Sequence, residues 1–297
     1  MRKNYKMTIR YDGTRYYGWE HQPGQEMTIQ GKLETVLDRM LAGEKTEGQD
    51  STANGIRENS ANGIRENSAN GIRKNSDNGK RDNSDNGIQD NHGVTVIGAG
   101  RTDAGVHALA MTANVLLDTQ KNERDIQRYM NRYLPDDISV DEVKICADRF
   151  HSRFMARGKT YRYTYWYSPE GAVPVFDRKY VTVLDRMPDL ERMRQAADLL
   201  TGMHDFRSFC GNPHIKKSTV RLVDKIEIRQ RGCYIRITVH GSGFLQNMVR
   251  IICGTLLETG YGRRSPESMT ELLEARDRKL AGATAPACGL TLVSVDY

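Results

Sequence analysis

The stretch VTVIGAGRTDAGVHALAMTANVLL, residues 94–117, decides how this chain is read. Residues 94–97 form an apolar run that reads as a buried strand. Residues 106–117 read as a second strand. Between them lies a glycine-rich loop with one carboxylate, Asp103. Gly98-x-Gly100 after a strand opens like the G-x-G-x-x-G dinucleotide fingerprint. Two features count against that match. The sixth position is Asp103, which would repel a pyrophosphate, and a strand follows where a helix is required.

The loop has chemistry of its own. Glycine lets the backbone turn sharply and lets a bulky ligand come close. A carboxylate held beside a guanidinium, here Arg101, stays ionised. An ionised, positioned Asp can act as a nucleophile. The same residues also suit an ordinary turn and a solvated surface pair. The loop alone does not choose between these readings.

Outward from this loop, the first half reads cleanly. Tyr5, Met7, Ile9 and Tyr11 alternate with polar residues, as in a half-buried strand. Ile29, Leu33, Val36, Leu37 and Met40 follow helical spacing, with Thr28 as N-cap. After strands 94–97 and 107–117, a helix carries Ile126, Met130 and Tyr133 and stops before Pro135. A last strand spans about 138–146. The order is βαββαβ, the ferredoxin-like pattern.

The second half can be read the same way. Tyr161, Tyr163, Tyr165 and Tyr167 alternate along one strand, followed by a strand at 179–184. A helix with Leu190, Met193, Ala197 and Leu200 stops at Gly202. Residues 221–229 and 233–240 form a hairpin. A helix follows with Phe244, Met248, Val249, Ile252 and Leu256 toward the core, then a shorter helix from Ser265-Pro266. The chain ends in a strand, LTLVSVDY. The expected fold is α+β: two ferredoxin-like (RRM-like) halves, 1–147 and 148–297. Their mainly antiparallel sheets lie side by side, with helices on one face and a central cleft. Such open sheets suit RNA.

An insertion at 44–92 interrupts the first half. Residues 53–92 are five octapeptides beginning ANGIRENS, with six Lys or Arg and six Asp or Glu. The chain's net charge of +6 therefore lies outside them. A unit with at most one isoleucine cannot bury enough surface to offset its ordering entropy. The repeat is expected to be disordered and to contribute nothing to catalysis.

The excess of positive charge and a pI of about 9.0 suit a polyanionic partner. Cys146, Cys210, Cys233, Cys253 and Cys288 form no CxxC motif, so neither a zinc site nor a disulfide framework is implied. Reduced thiols in a cytoplasmic protein are expected. No apolar leader and no membrane-spanning run is read. No metal or other cofactor is expected.

The loop and five further blocks resemble one family. GAGRTDAGVHA (98–108), YDGTRYYGW (11–19), RFHSRFMARGKTYRY (149–163), HDFRSF (204–209), GSGFLQNMVRIICGTL (241–256) and APACGLTLVSVDY (285–297) stand in the order seen in TruA-type tRNA pseudouridine synthases. The resemblance spans nearly all of the chain outside the repeat. It implies a cofactor-independent isomerase, working as a homodimer, that converts uridines 38, 39 and 40 of the tRNA anticodon stem-loop to pseudouridine.

The resemblance also implies roles. Asp103 is the nucleophile, attacking either the ribose or the pyrimidine ring. Tyr161 packs on the target base. Arg250 pairs with Asp103, and Arg101 helps displace the target nucleotide. Extruding a base needs a pocket with a stacking partner, and a tyrosine ring can serve. Spacing alone cannot choose Tyr161 over its three strand companions, nor separate Arg250 from a helix-surface cation. Its apolar neighbours Met248, Val249 and Ile251 suggest a partly buried charge that needs a partner. His107 is a candidate for acid–base work, against a structural role. Lys159, Arg162 and Arg157 are candidate phosphate contacts or a solvated face. The rival readings are an RNA-binding module without catalysis and a dinucleotide-dependent oxidoreductase.

Overall fold

The alternating apolar residues near the start form a strand, β1 (Lys3–Tyr11), and Tyr5, Met7, Ile9 and Tyr11 are all buried. The computed structural model describes residues 1–22, 24–50 and 93–297, with side chains of the first helix described to residue 44. That helix, α1 (Ile29–Asp50), buries Ile29, Leu33, Val36, Leu37 and Met40. The Thr28 hydroxyl accepts from the Gly31 N–H at 3.2 Å, as a cap should. The octapeptides, and the disorder expected of them, lie outside the described residues.

Beyond the repeat come β2 (Val96–Gly98), β3 (His107–Leu117), α2 (Glu123–Tyr133) and β4 (Ile138–Ile145). This reproduces the βαββαβ order along the chain. The second half runs β5 (Gly158–Trp166), β6 (Thr182–Val183), α3 (Leu190–Leu200), β7 (Gly202–Asp205), β8 (Val220–Arg231) and β9 (Tyr234–Gly241). It closes with α4 (Met248–Gly260), α5 (Ser268–Ala275) and β10 (Leu290–Asp296).

The strands pair as one sheet in the order β4-β1-β3-β10-β5-β9-β8-β7, with β2 on β3 and β6 on β5. Among the described residues only β10–β3 and β5–β6 pair in parallel, so the protein is an α+β protein with a mostly antiparallel sheet. The final strand is the seam. Leu292 of β10 pairs with Ala108 of β3 on one side and with Tyr161 of β5 on the other. Residues far apart in sequence are thereby set side by side where the Asp103 loop returns into β3.

Three local expectations change. The strand expected at 179–184 shrinks to two residues, Thr182–Val183. Gly202, expected only as a helix stop, also opens the short edge strand β7, at a positive φ of 126°. The helix carrying Met248 starts there and not at Phe244, because Asn247 is left-handed (φ 60°, ψ 4°) and cannot continue a helix backward. All five cysteines are free thiols. Among the described residues, no helix is long and apolar enough to cross a membrane.

Candidate active site

The Asp103 loop is held from both sides by backbone contacts. Ala99 N–H donates to Thr112 O at 2.8 Å, and Trp19 N–H to Thr102 O at 3.1 Å. Gly105 N–H reaches Tyr16 O at 3.3 Å, and Val106 N–H closes the turn on Asp103 O at 3.1 Å. Two glycines are required by geometry. A Cβ on Gly98 would lie 2.4 Å from the Trp19 ring, and Gly105 turns the chain at φ 78°. The Thr102 hydroxyl is 2.8 Å from the phenol of buried Tyr11. Such anchoring leaves Asp103 little freedom, and its side chain is 32% exposed.

Arg250 meets that carboxylate. It sits in the first turn of α4, with its side chain 17% exposed. Its Nη1 donates to Asp103 Oδ2 at 3.2 Å and to Asn247 Oδ1 at 2.9 Å, while Nε donates to Ala285 O at 2.7 Å. A half-buried guanidinium needs such partners, since an unpaired buried charge is costly.

Tyr161 joins the pair through β5. Its ring is buried and stands edge-on to Phe244, with centroids 5.3 Å apart. Burial pushes the phenol's pKa well up, and the negative charge of Asp103 adds to the rise. Tyr163 and Tyr165 lie deeper on the same face. The Tyr163 hydroxyl bonds Thr182 Oγ1 at 2.7 Å and donates to Pro286 O at 2.8 Å. Of these three tyrosines, Tyr161 is the one set against Phe244 and within the field of Asp103.

Arg101 does not join them. The sequence places it beside Asp103, but its guanidinium pairs with Glu20, and its side chain is 58% exposed. The loop turns Arg101 and Asp103 to different neighbours, so the countercharge of Asp103 comes from α4.

His107 is held in the core at the start of β3. It is buried, its Nδ1 accepts from the Gly13 N–H at 3.0 Å, and Asp12 Oδ1 lies 3.2 Å from the same nitrogen. Tyr180 packs edge-on against the ring at 5.0 Å. Burial holds its pKa below the usual imidazole value, with the Asp12 charge opposing. Lys159 is also engaged: its Nζ donates to Ala99 O at 2.7 Å, and burial lowers its pKa to about 8. Burial and the neighbouring Arg236 lower the pKa of Arg162. Arg157 remains exposed.

Sequence reasoning missed Asn247, Phe244 and Tyr11 at this site, and Glu20 as the partner of Arg101. Phe244 and Asn247 lie in the block GSGFLQNMVR, but a helical reading of that block sent Phe244 to the core. Among the described residues, no three His, Cys, Asp or Glu side chains converge as a metal site would require.

A positioned carboxylate, its arginine and a buried tyrosine lie where β10 joins two segments of the sheet. Comparison with known proteins gives the class. A family model described as tRNA pseudouridine synthase matches residues 7–155 and 196–297, and the chain belongs to that family of isomerases acting on tRNA. It is 38% identical over 294 residues to tRNA pseudouridine synthase A of Bacillus sp. (strain KSM-64), covering 99% of each chain. It is 36% identical to the protein of the same name from Geobacillus kaustophilus (strain HTA426), over all of this chain and 95% of that one. With tRNA pseudouridine synthase A 2 of Clostridium perfringens (strain 13 / Type A) the identity is 33%.

Proposed function

We propose that Asp103 is the nucleophile with which this chain isomerises uridines 38, 39 and 40 of the tRNA anticodon stem-loop. The observation that carries this reading is the 3.2 Å contact between Arg250 Nη1 and Asp103 Oδ2, made beside buried Tyr161. The target uridine leaves its stack, at a cost of a few kcal/mol, and enters a pocket that must supply a stacking partner. Tyr161 supplies the ring. The Asp103 carboxylate forms a bond to the nucleoside, at the ribose carbon or the pyrimidine ring. The bond from N1 to the ribose breaks, the base turns, C5 bonds to the ribose, and the bond to Asp103 breaks with its electron pair returning to the carboxylate. The proton on C5 passes to solvent and N1 takes one up, so the reaction is redox-neutral. Arg250 holds the carboxylate in place and balances its charge.

The same reading assigns a larger frame. The halves 1–147 and 148–297 are two ferredoxin-like units whose sheets share β10, with the cleft between them taking the RNA. Two copies form a homodimer in the cytoplasm, and one tRNA contacts both. Positive charge outside the repeat supports binding to a polyanion.

The test uses tRNA carrying 5-tritiated uridine. Asp103→Asn and Asp103→Ala should abolish tritium release while tRNA affinity stays near that of the unaltered chain. Residual turnover in either variant would remove Asp103 from the nucleophile's role.

A further inference from the structure

The motif RFHSRFMAR, residues 149–157, joins β4 to β5 and has no part in the chemistry above. Its base is pinned. Asn4 Nδ2 donates to the carbonyls of Ala147 and Phe150 at 3.1 and 2.9 Å. The Phe150 ring packs on Tyr297, with centroids 5.1 Å apart. Ser152 is fully buried. Its N–H donates to Asn114 Oδ1 at 2.8 Å, and its hydroxyl donates to Ile97 O at 2.5 Å. Ile97 belongs to β2, the strand that leads into the Asp103 loop. Two residues past this segment, Lys159 grips Ala99 O in the loop itself.

The tip of the same segment is left open. Phe154 is 79% exposed, unlike Phe150 four residues earlier. The His151 ring stacks on it, with centroids 4.2 Å apart and planes 30° from parallel. His151 Nδ1 accepts from the N–H groups of Arg153 and Phe154 at 3.2 and 3.3 Å, which fixes the ring's attitude. Arg149, Arg153 and Arg157 are exposed, and among the described residues none of their guanidinium groups forms an ion pair. The charge of Arg153 also reaches Lys159.

A stacked aromatic pair on a pinned loop does not hold this fold together, since its outer face touches water. The three exposed cations have no carboxylate partner among the described residues. Both features are relieved by one kind of ligand: a flat ring joined to phosphates. Protein surfaces that bind unpaired nucleotides combine these elements, an aromatic platform for the base and cations for the backbone. An apolar protein partner would cover Phe154 but leave the guanidinium groups unpaired.

We propose that His151 and Phe154, with Arg149, Arg153 and Arg157, form a nucleotide subsite beside the Asp103 loop, in which an unpaired tRNA base flanking the target stacks on Phe154 and neighbouring phosphates meet the arginines. The subsite rests on the reading of the Asp103 loop as the active site. It adds a second ring to the site: Tyr161 takes the target base within the pocket, and Phe154 takes a neighbour outside it.

The experiment uses the full chain and an unmodified tRNA transcript. Phe154→Ala should weaken tRNA binding on the order of tenfold and raise KM more than it lowers kcat. Because Phe154 is exposed, its thermal midpoint should match that of the unaltered chain. Phe154→Trp should restore affinity, and its added indole emission should be quenched by tRNA. Replacing the three arginines by Gln should lower the slope of log affinity against log salt by about 2, at roughly 0.7 per single-strand phosphate contact.

Unchanged tRNA affinity in Phe154→Ala, or an unquenched indole in Phe154→Trp, would overturn the subsite. So would a changed oligomeric state in light scattering with tRNA affinity unaltered, which would make the patch a protein interface. Asp103→Ala runs in parallel. Turnover by that variant would refute the active-site reading, while the binding results would still decide the subsite.

Discussion

Arg250 and Arg101 carry the same guanidinium, and both were candidates to serve Asp103. Arg250 is 17% exposed and is held by Ala285 O, Asn247 Oδ1 and Asp103 Oδ2. Arg101 is 58% exposed and has Glu20, itself 43% exposed, as its ion-pair partner. Burial separates them. A charge withdrawn from water must be satisfied by fixed partners, and removing one partner leaves another stranded. An exposed ion pair is weak and screened by salt, so its members can part at little expense. Under the proposed function they do different work: Arg250 holds a preorganised site, and Arg101 changes partners when RNA arrives.

The largest effect expected from this contrast is at Arg250. Arg250→Ala leaves Asp103 and Asn247 without their shared donor and should reduce tritium release by two orders of magnitude or more, in line with losing a fixed electrostatic contact. Its thermal midpoint should fall too, because Ala285 O loses its side-chain partner. Arg250→Lys keeps the charge but not the fork and should recover only part of the rate. A rate in Arg250→Ala within a few-fold of the unaltered chain would erase the distinction between the two arginines.

A smaller effect separates two tyrosines on one strand. Tyr161→Leu should cut turnover between about fivefold and about 150-fold, the loss of one stacking contact. Tyr163→Phe should leave turnover intact and lower stability by about 1–2 kcal/mol, because its hydroxyl bonds to Thr182 and Pro286 are removed. Calorimetry and single-turnover assays on the two variants give the comparison directly. Equal losses of turnover would mean that β5 acts as a unit and that Tyr161 has no special place.

These contrasts also mark how far the sequence could be read. Alternation and helical spacing place β1, α1, β3, α2 and β5 where they lie, because each has a continuous apolar face to bury. They cannot show that β10 pairs with both β3 and β5, since nothing local in LTLVSVDY records its neighbours. Periodicity likewise fails at Phe244, whose helix begins only after the left-handed Asn247. The motif blocks bring Asp103, Tyr161 and Arg250 together on the page, and the structure brings Asp103 and Arg250 into contact. Arg101 escapes that logic. Adjacency along a tight loop says little about direction, and two residues apart in a turn can face different partners.

The smallest effect belongs to the Arg101–Glu20 pair. Glu20→Gln removes an exposed partner and should change stability by less than about 0.5 kcal/mol. It should also leave Arg101 without its resting contact, so tRNA binds a few-fold more tightly at low salt, with the gain shrinking as salt rises. Arg101→Ala should weaken binding and should make the Glu20 substitution silent in the double variant. If Glu20→Gln instead weakens tRNA binding, or acts equally with Arg101 absent, then Glu20 contacts the RNA on its own account. Arg101 would then be as fixed in its role as Arg250, despite its exposure.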